Sequence, residues 1–189
     1  RLEHGRMYLP VSDHHLIIEP GVAIATRGPK ENSFRPAIDP LFRSAAQTYG
    51  PRVIGVVLTG GLDDGTAGLW AIKQLGGTAI VQDPDEAFAS SMPRSALAHV
   101  RVDHCVSLRE MPELLVRLTS EPPVEVAHEV PESMDIEVNV AKEQDPLAAG
   151  VLELGSPSRY ACPECHGVLM QVKEADRVRI AVALVKASD

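Results

Sequence analysis

Val56-Val57-Leu58-Thr59-Gly60-Gly61-Leu62-Asp63-Asp64-Gly65-Thr66-Ala67-Gly68-Leu69 runs from an apolar strand, through a glycine-rich acidic turn, into the start of a helix. In an open α/β sheet, the crevice outside the carboxyl ends of the strands is where ligands and reactive groups gather. The turn therefore delivers the carboxylates of Asp63 and Asp64 to the mouth of such a sheet.

Downstream the same alternation repeats. The patterning predicts a strand over 53–58, a helix over 66–75 closed by Gly76-Gly77, a strand over 78–82, a helix from Met92, a strand over 102–108 and a helix over 111–118. Continuous apolar strands alternating with helices mark a parallel sheet covered on both faces, so the fold class is α/β with right-handed crossovers. Upstream, Gly5 to Pro10 and His14 to Glu19 flank the polar pair Ser12-Asp13 and read as a hairpin. Pro36 opens a helix that runs to Tyr49, with Ile38, Leu41, Phe42 and Ala45 on one stripe and Gly50 as its stop.

After Ser120 the character changes: prolines are interleaved with many Asp and Glu, and aromatics are few. The expected division is a domain over 1–120, an acidic, proline-containing linker over 121–157 and a tail over 158–189 that is disordered or loosely structured. The whole has 189 residues, 44% of them hydrophobic and 23% charged, which fits a globular protein. With 18 Lys+Arg against 26 Asp+Glu and no basic cluster, neither nucleic acid nor an anionic membrane is the expected partner. No apolar run reaches the ~20 residues of a membrane span and no signal-peptide pattern is present, so a cytoplasmic location is expected. Three cysteines make no disulfide framework. Cys105, inside a strand pattern, reads as a small buried apolar residue. The chain opens on Arg1, already close to strand-like sequence, and this predicts a cut through a domain.

A carboxylate at a strand end can cap the following helix, orient a histidine or hold a cation, and all three roles are open to Asp64. Ser90 and Ser91 stand where a helix N-cap belongs, ahead of Met92-Pro93. The glycine-rich turn matches neither a dinucleotide fingerprint nor a P-loop, and its carboxylates would repel phosphate. His14, His15, His99 and His104 read as structural.

Several separate motifs nonetheless occur together: Leu58-Thr59-Gly60-x-x-Asp63-Asp64-Gly65-x-x-Gly68-Leu69, Ile72-Lys73-x-x-Gly76-Gly77, Val81-Gln82-Asp83, Ser91-Met92-Pro93-x-x-Ala96, Tyr8-Leu9-Pro10-x-x-x-His14-His15-Leu16, and Arg35-Pro36-Ala37-Ile38-Asp39-x-Leu41-Phe42-x-Ser44-Ala45-Ala46. Over roughly residues 5–118 the chain resembles the catalytic domain of the chemotaxis protein-glutamate methylesterases, the CheB type. The resemblance implies a three-layer, doubly wound, mostly parallel sheet, and hydrolysis of glutamyl methyl esters on the cytoplasmic domain of methylated chemoreceptors by a Ser-His-Asp triad that needs no cofactor. It makes Asp64 the triad aspartate, with Gly60, Asp63, Gly65, Met92 and Pro93 lining the substrate cleft. The family's turn carries Met-Gly where this chain has Gly61-Leu62. The family's serine and histidine precede the segment matched here, so this chain by itself is expected to be inactive. Nor is a receiver domain that would tie it to a phosphorelay read in the chain.

Cys162-Pro163-Glu164-Cys165-His166 is one zinc knuckle. A structural zinc wants four ligands, and no second Cys/His pair follows, so Cys162 and Cys165 form an incomplete candidate metal site in what resembles half a zinc ribbon. The rival to an enzyme is a catalytically inactive signalling module that binds receptors through the same surface.

Overall fold

The computed structural model describes residues 1–122, 129–142, 149–153, 155–161, 168–174 and 177–184. At its centre three parallel strands lie in the order β3-β4-β5: Ile54–Val57, Thr78–Gln82 and His104–Val106. Register runs from Ile54 opposite Thr78 and from Ile80 opposite His104. Helices α2 (Thr66–Gln74) and α3 (Ser91–His99) make the crossovers, and α4 (Met111–Ser120) follows β5. The sheet is covered on both sides, as the continuous apolar strands require.

Period-two alternation along β4 decides which residue meets which layer. Ala79 and Val81 join Val57, Leu69, Ala71, Ile72, Leu75, Met92 and Ala96 in one cluster, while Ile80 turns to the opposite face and meets Met111 and Leu114 of α4. Burying a side chain such as Leu69 or Ile72 contributes about 1.5–3 kcal/mol, so the two-sided packing holds the strands in place. Helix α1 (Ile38–Tyr49) crosses α2 so closely that a Cβ on Gly68 would stand 2.5 Å from the Cβ of Phe42. Two helix backbones can approach to that degree only over a residue without a side chain.

The hairpin forms one element later than the patterning suggests. Strand β1 (His15–Glu19) pairs antiparallel with β2 (Val22–Thr26), and the turn is Pro20-Gly21. Met7, Leu9 and Val11, which made the earlier run look strand-like, are exposed. Pro then Gly at the two central positions satisfies a tight turn, because Pro presets φ and Gly takes the positive φ of 74° found there. Ser12-Asp13 has no such pair.

Within the stretch expected to be linker, Glu132–Lys142 forms helix α5. Met134 enters the main cluster, Ile136, Val138, Val140 and Ala141 are buried, and the Ala141 carbonyl accepts a hydrogen bond from Thr26 Oγ1 at 2.8 Å. The packed body thus extends past residue 120. Beyond it, β6 (Gly155–Ala161), β7 (Val168–Glu174) and β8 (Arg177–Leu184) form an antiparallel sheet in that order. Cys162 and Cys165 lie outside the described residues. Cys105 is exposed, not buried: β5 is an edge among the strands described, and one side of it lacks a covering neighbour.

Candidate active site

Strand β3 ends at Val57, and the chain then turns through Leu58–Gly65 at the carboxyl edge of the sheet. Side chains from the next strand and the next loop hold this turn. Thr59 N–H donates to Gln82 Oε1 at 2.8 Å, and Gln82 is buried at the end of β4. Gly60 N–H donates to the Ala89 carbonyl at 2.9 Å, and the Gly60 carbonyl accepts from Met92 N–H at 3.1 Å and Ser91 Oγ at 3.2 Å. A Cβ on Gly60 would fall on Met92 Sδ, so a larger residue there would force the Met92 side chain to move. Met92 belongs to the core and lies against Gly60, Pro93 beside it is buried, and Asp63 is exposed. Gly65 is buried against Ile38 and has φ 89°, which suits glycine at the start of α2.

Asp64 is not bonded as the cap of the helix that follows it. Its Oδ2 accepts the N–H of Ile38 at 2.8 Å, and its Oδ1 accepts the N–H of Asp39 at 3.3 Å; these are two free donors at the N-terminus of α1. Asp39 returns the favour: its Oδ1 accepts the N–H of Gly68 at 2.6 Å in the first turn of α2. Each aspartate caps the helix that carries or follows the other, and both carboxylates sit where helix dipoles favour negative charge. Between them stands Asn32, whose Nδ2 donates to Asp64 Oδ1 at 2.7 Å and to Asp39 Oδ2 at 2.8 Å. Ser90 and Ser91 make no side-chain cap; Ser91 bonds the Gly60 carbonyl instead, and Ser90 Oγ accepts from Arg94 Nε.

Behind this pair lies a buried cation. Arg43, 5% exposed, donates through Nη2 to Glu31 Oε2 at 2.5 Å, and its Nε lies 3.3 Å from Glu137 Oε2 on α5. The Nε contact is an ion pair by distance without hydrogen-bond alignment. Burial opposes the guanidinium's charge, but Glu31 and Glu137 outweigh it and hold the group more firmly protonated than usual. Asp39 feels the same burial without enough compensation: desolvation, reinforced by the charge of Glu31, pushes its carboxyl up to about 6.

The pH consequence has a definite sign. Between the ordinary value of 3.8 and about 6, folded Asp39 keeps a proton that the unfolded chain has released, so its stabilising contribution is complete below about pH 4 and is lost as pH rises through 6. The rise from 3.8 to about 6 corresponds to about 3 kcal/mol. His15 acts the opposite way. It is buried, its Nε2 lies 2.8 Å from the Pro29 carbonyl and its Nδ1 accepts Ala37 N–H, and burial lowers its basicity, so stability falls as pH drops below 6.5. The expected result is therefore a difference: urea unfolding of Asp39→Asn should lose the component that declines from pH 4 to 6 while retaining the His15 component. An unchanged pH slope in the variant would contradict it.

Two further histidines, His14 and His99, are engaged with backbone. His14 Nδ1 lies 2.9 Å from the Ser12 carbonyl and His99 Nδ1 2.9 Å from the Ser95 carbonyl. Among the described residues no cluster of three or more His, Cys, Asp or Glu could hold a metal ion, and no helix is long and apolar enough to cross a membrane. Sequence reading missed Asn32, Asp39, Arg43 and Glu137. Asp39 stood in a quoted motif without a role, and nothing in local spacing singles out the other three.

Leu62 has φ 63° and is 64% exposed, a left-handed conformation that costs a non-glycine residue about 1 kcal/mol. The family resemblance puts glycine at this position, and the backbone here has the shape glycine would give. Leu62→Gly should raise stability by about 0.5 kcal/mol, the relief of strain being partly offset by unfolded-chain entropy. A urea midpoint that falls instead would show that the Leu62 side chain makes a stabilising contact.

The fold and turn define an α/β protein that presents a fixed carboxylate at the carboxyl edge of a parallel sheet. The family defined as CheB methylesterase matches residues 1–115, and the chain belongs to it. A relative from Leptospira interrogans is 42% identical over 118 residues, 62% of this chain and 61% of that protein. Protein-glutamate methylesterase/protein-glutamine glutaminase 2 of Anaeromyxobacter dehalogenans is 40% identical over 118 residues, covering 35% of its own length. The crystal structure of the Thermotoga maritima CheB methylesterase catalytic domain superposes with a TM-score of 0.54 at 33% identity, over 56% of this chain and 58% of that one. This chain thus spans about three fifths of the Leptospira relative and about a third of the Anaeromyxobacter one.

Proposed function

We propose that this chain is the carboxylate-bearing part of a protein-glutamate methylesterase of bacterial chemotaxis, acting in the cytoplasm on the methylated cytoplasmic domain of chemoreceptors without a cofactor. Asp64 is the acid of a Ser-His-Asp triad, and the serine and histidine are drawn from sequence outside these 189 residues. On that reading the isolated chain is inactive. The hydroxyl attacks the glutamyl ester carbonyl while the histidine takes its proton; methanol leaves with that proton, and water then hydrolyses the acyl-serine to glutamate. Asp64 fixes the histidine's tautomer and stabilises the imidazolium. The same acyl intermediate is reached from a glutamine amide with loss of ammonia, in keeping with the glutaminase in the relatives' names.

The observation that supports this reading is the anchoring of the Asp64 carboxylate beyond the carboxyl end of β3, where it accepts from three N–H groups among the described residues. A carboxylate so held keeps its direction, which an orienting acid needs. The test is methanol release from methylated receptors by the full protein. Absence of release under conditions where the protein is folded and binds receptor would discard the esterase and leave a binding module.

A further inference from the structure

Resting on the proposed role of Asp64, we infer that Asn32 is a positioning residue for the reaction, its side-chain amide setting the angle at which the Asp64 carboxylate faces its catalytic partner. The geometry is specific. Nδ2 carries two hydrogens and has two carboxylate acceptors, Asp64 Oδ1 at 2.7 Å and Asp39 Oδ2 at 2.8 Å. Helix α1 contributes the N–H groups of Ile38 and Asp39, so the donors reach Asp64 from a helix end and from a separate loop. Two donors on one helix leave the carboxylate free to pivot about their common axis; a third from a different direction removes that freedom.

The choice of amide also has a chemical reason. A lysine or arginine in this place would hold the carboxylate equally well but would neutralise the charge that has to stabilise an imidazolium. A neutral donor orients without quenching. Asn32 also has φ 51°, a left-handed conformation that asparagine tolerates better than most residues. Side chain and backbone requirements therefore meet in one residue.

The left-handed backbone dictates the variants. Asn32→Gly removes the amide without straining the chain, and Asn32→Asp keeps the shape but turns the donor into a third carboxylate. In the full protein, Asn32→Gly should lower kcat for methyl-ester hydrolysis by about 10²-fold with KM within about twofold, the scale of loss from misplacing a reacting group by an ångström. Asn32→Asp should be at least as impaired, because its acceptor oxygens face two others. Activity is normalised to folded protein by circular dichroism, so a purely structural residue would change the folded fraction and leave kcat per folded molecule intact. That outcome overturns the inference. Asp64→Ala run in parallel separates the two readings: if it abolishes activity while Asn32→Gly does not, Asp64's role stands and Asn32's falls; if Asp64→Ala is fully active, both fall.

Discussion

Replacing Asp64 with alanine in the full protein is expected to lower kcat for receptor methyl-ester hydrolysis by about 10⁴-fold, the scale seen when the orienting acid of such a triad is lost. KM should change little, because on the proposed reading the carboxylate acts on a histidine and not on the substrate. A second effect accompanies the first. Asp64 also accepts the N–H groups of Ile38 and Asp39, so its removal uncaps α1 and should cost about 1–2 kcal/mol in urea unfolding. Asp64→Asn distinguishes the two: its amide oxygen can still accept one helix N–H, so part of the stability returns, while the missing charge keeps kcat low. A variant that lost stability but turned over normally would reduce Asp64 to a helix cap.

Arg43→Met should destabilise the protein by about 3–5 kcal/mol, since removing one partner of a buried ionic network strands the others. The guanidinium is buried between Glu31 and Glu137, and the latter side chain is only 10% exposed. Against a total stability of about 5–15 kcal/mol for a domain this is a large fraction. Adding Glu31→Gln and Glu137→Gln to Arg43→Met should recover much of the loss, because buried networks replaced as a whole often cost little. The denaturant midpoint of each variant measures the coupling. If the triple variant were no more stable than Arg43→Met, the loss would lie in packing of the arginine stem, not in stranded charge. Because Glu137 lies on α5, the same prediction extends to length: a chain ended at Ser120 forfeits the Glu137 partner and the Met134 core contact, and should be less stable than one carried through Lys142.

The alternation from β3 to α4 was legible because apolar runs and helical stripes are local signals, and the motif match over roughly residues 5–118 agrees with the family assignment to 1–115. Where tertiary pairing decides, local reading slipped. Met7-Tyr8-Leu9 has strand-like composition, yet the strands pair across Pro20-Gly21. Helix α5 was hidden by the acidity of its surroundings, although Met134, Val138 and Ala141 sit at helical spacing and all three are buried. Asp64 was singled out from the turn, but its bonding to α1 was invisible, because the donors lie 25 and 26 residues away in sequence. Burial of Arg43 and Asp39 ran against their polarity, and only the folded arrangement of Glu31, Glu137 and Asn32 accounts for it.

The exchange of caps between Asp39 and Asp64 bears on how such sequences are recognised in genomes. A residue kept for chemistry alone is released from selection once the chemistry is lost, and it drifts. If Asp64 serves catalysis as proposed, it has a structural duty as well, capping the first turn of α1, so a descendant that had abandoned ester hydrolysis would still be penalised for changing it. The Asp-Gly turn is accordingly a dependable marker of ancestry and architecture, whereas living activity leaves its trace at positions that have no structural duty to outlive it.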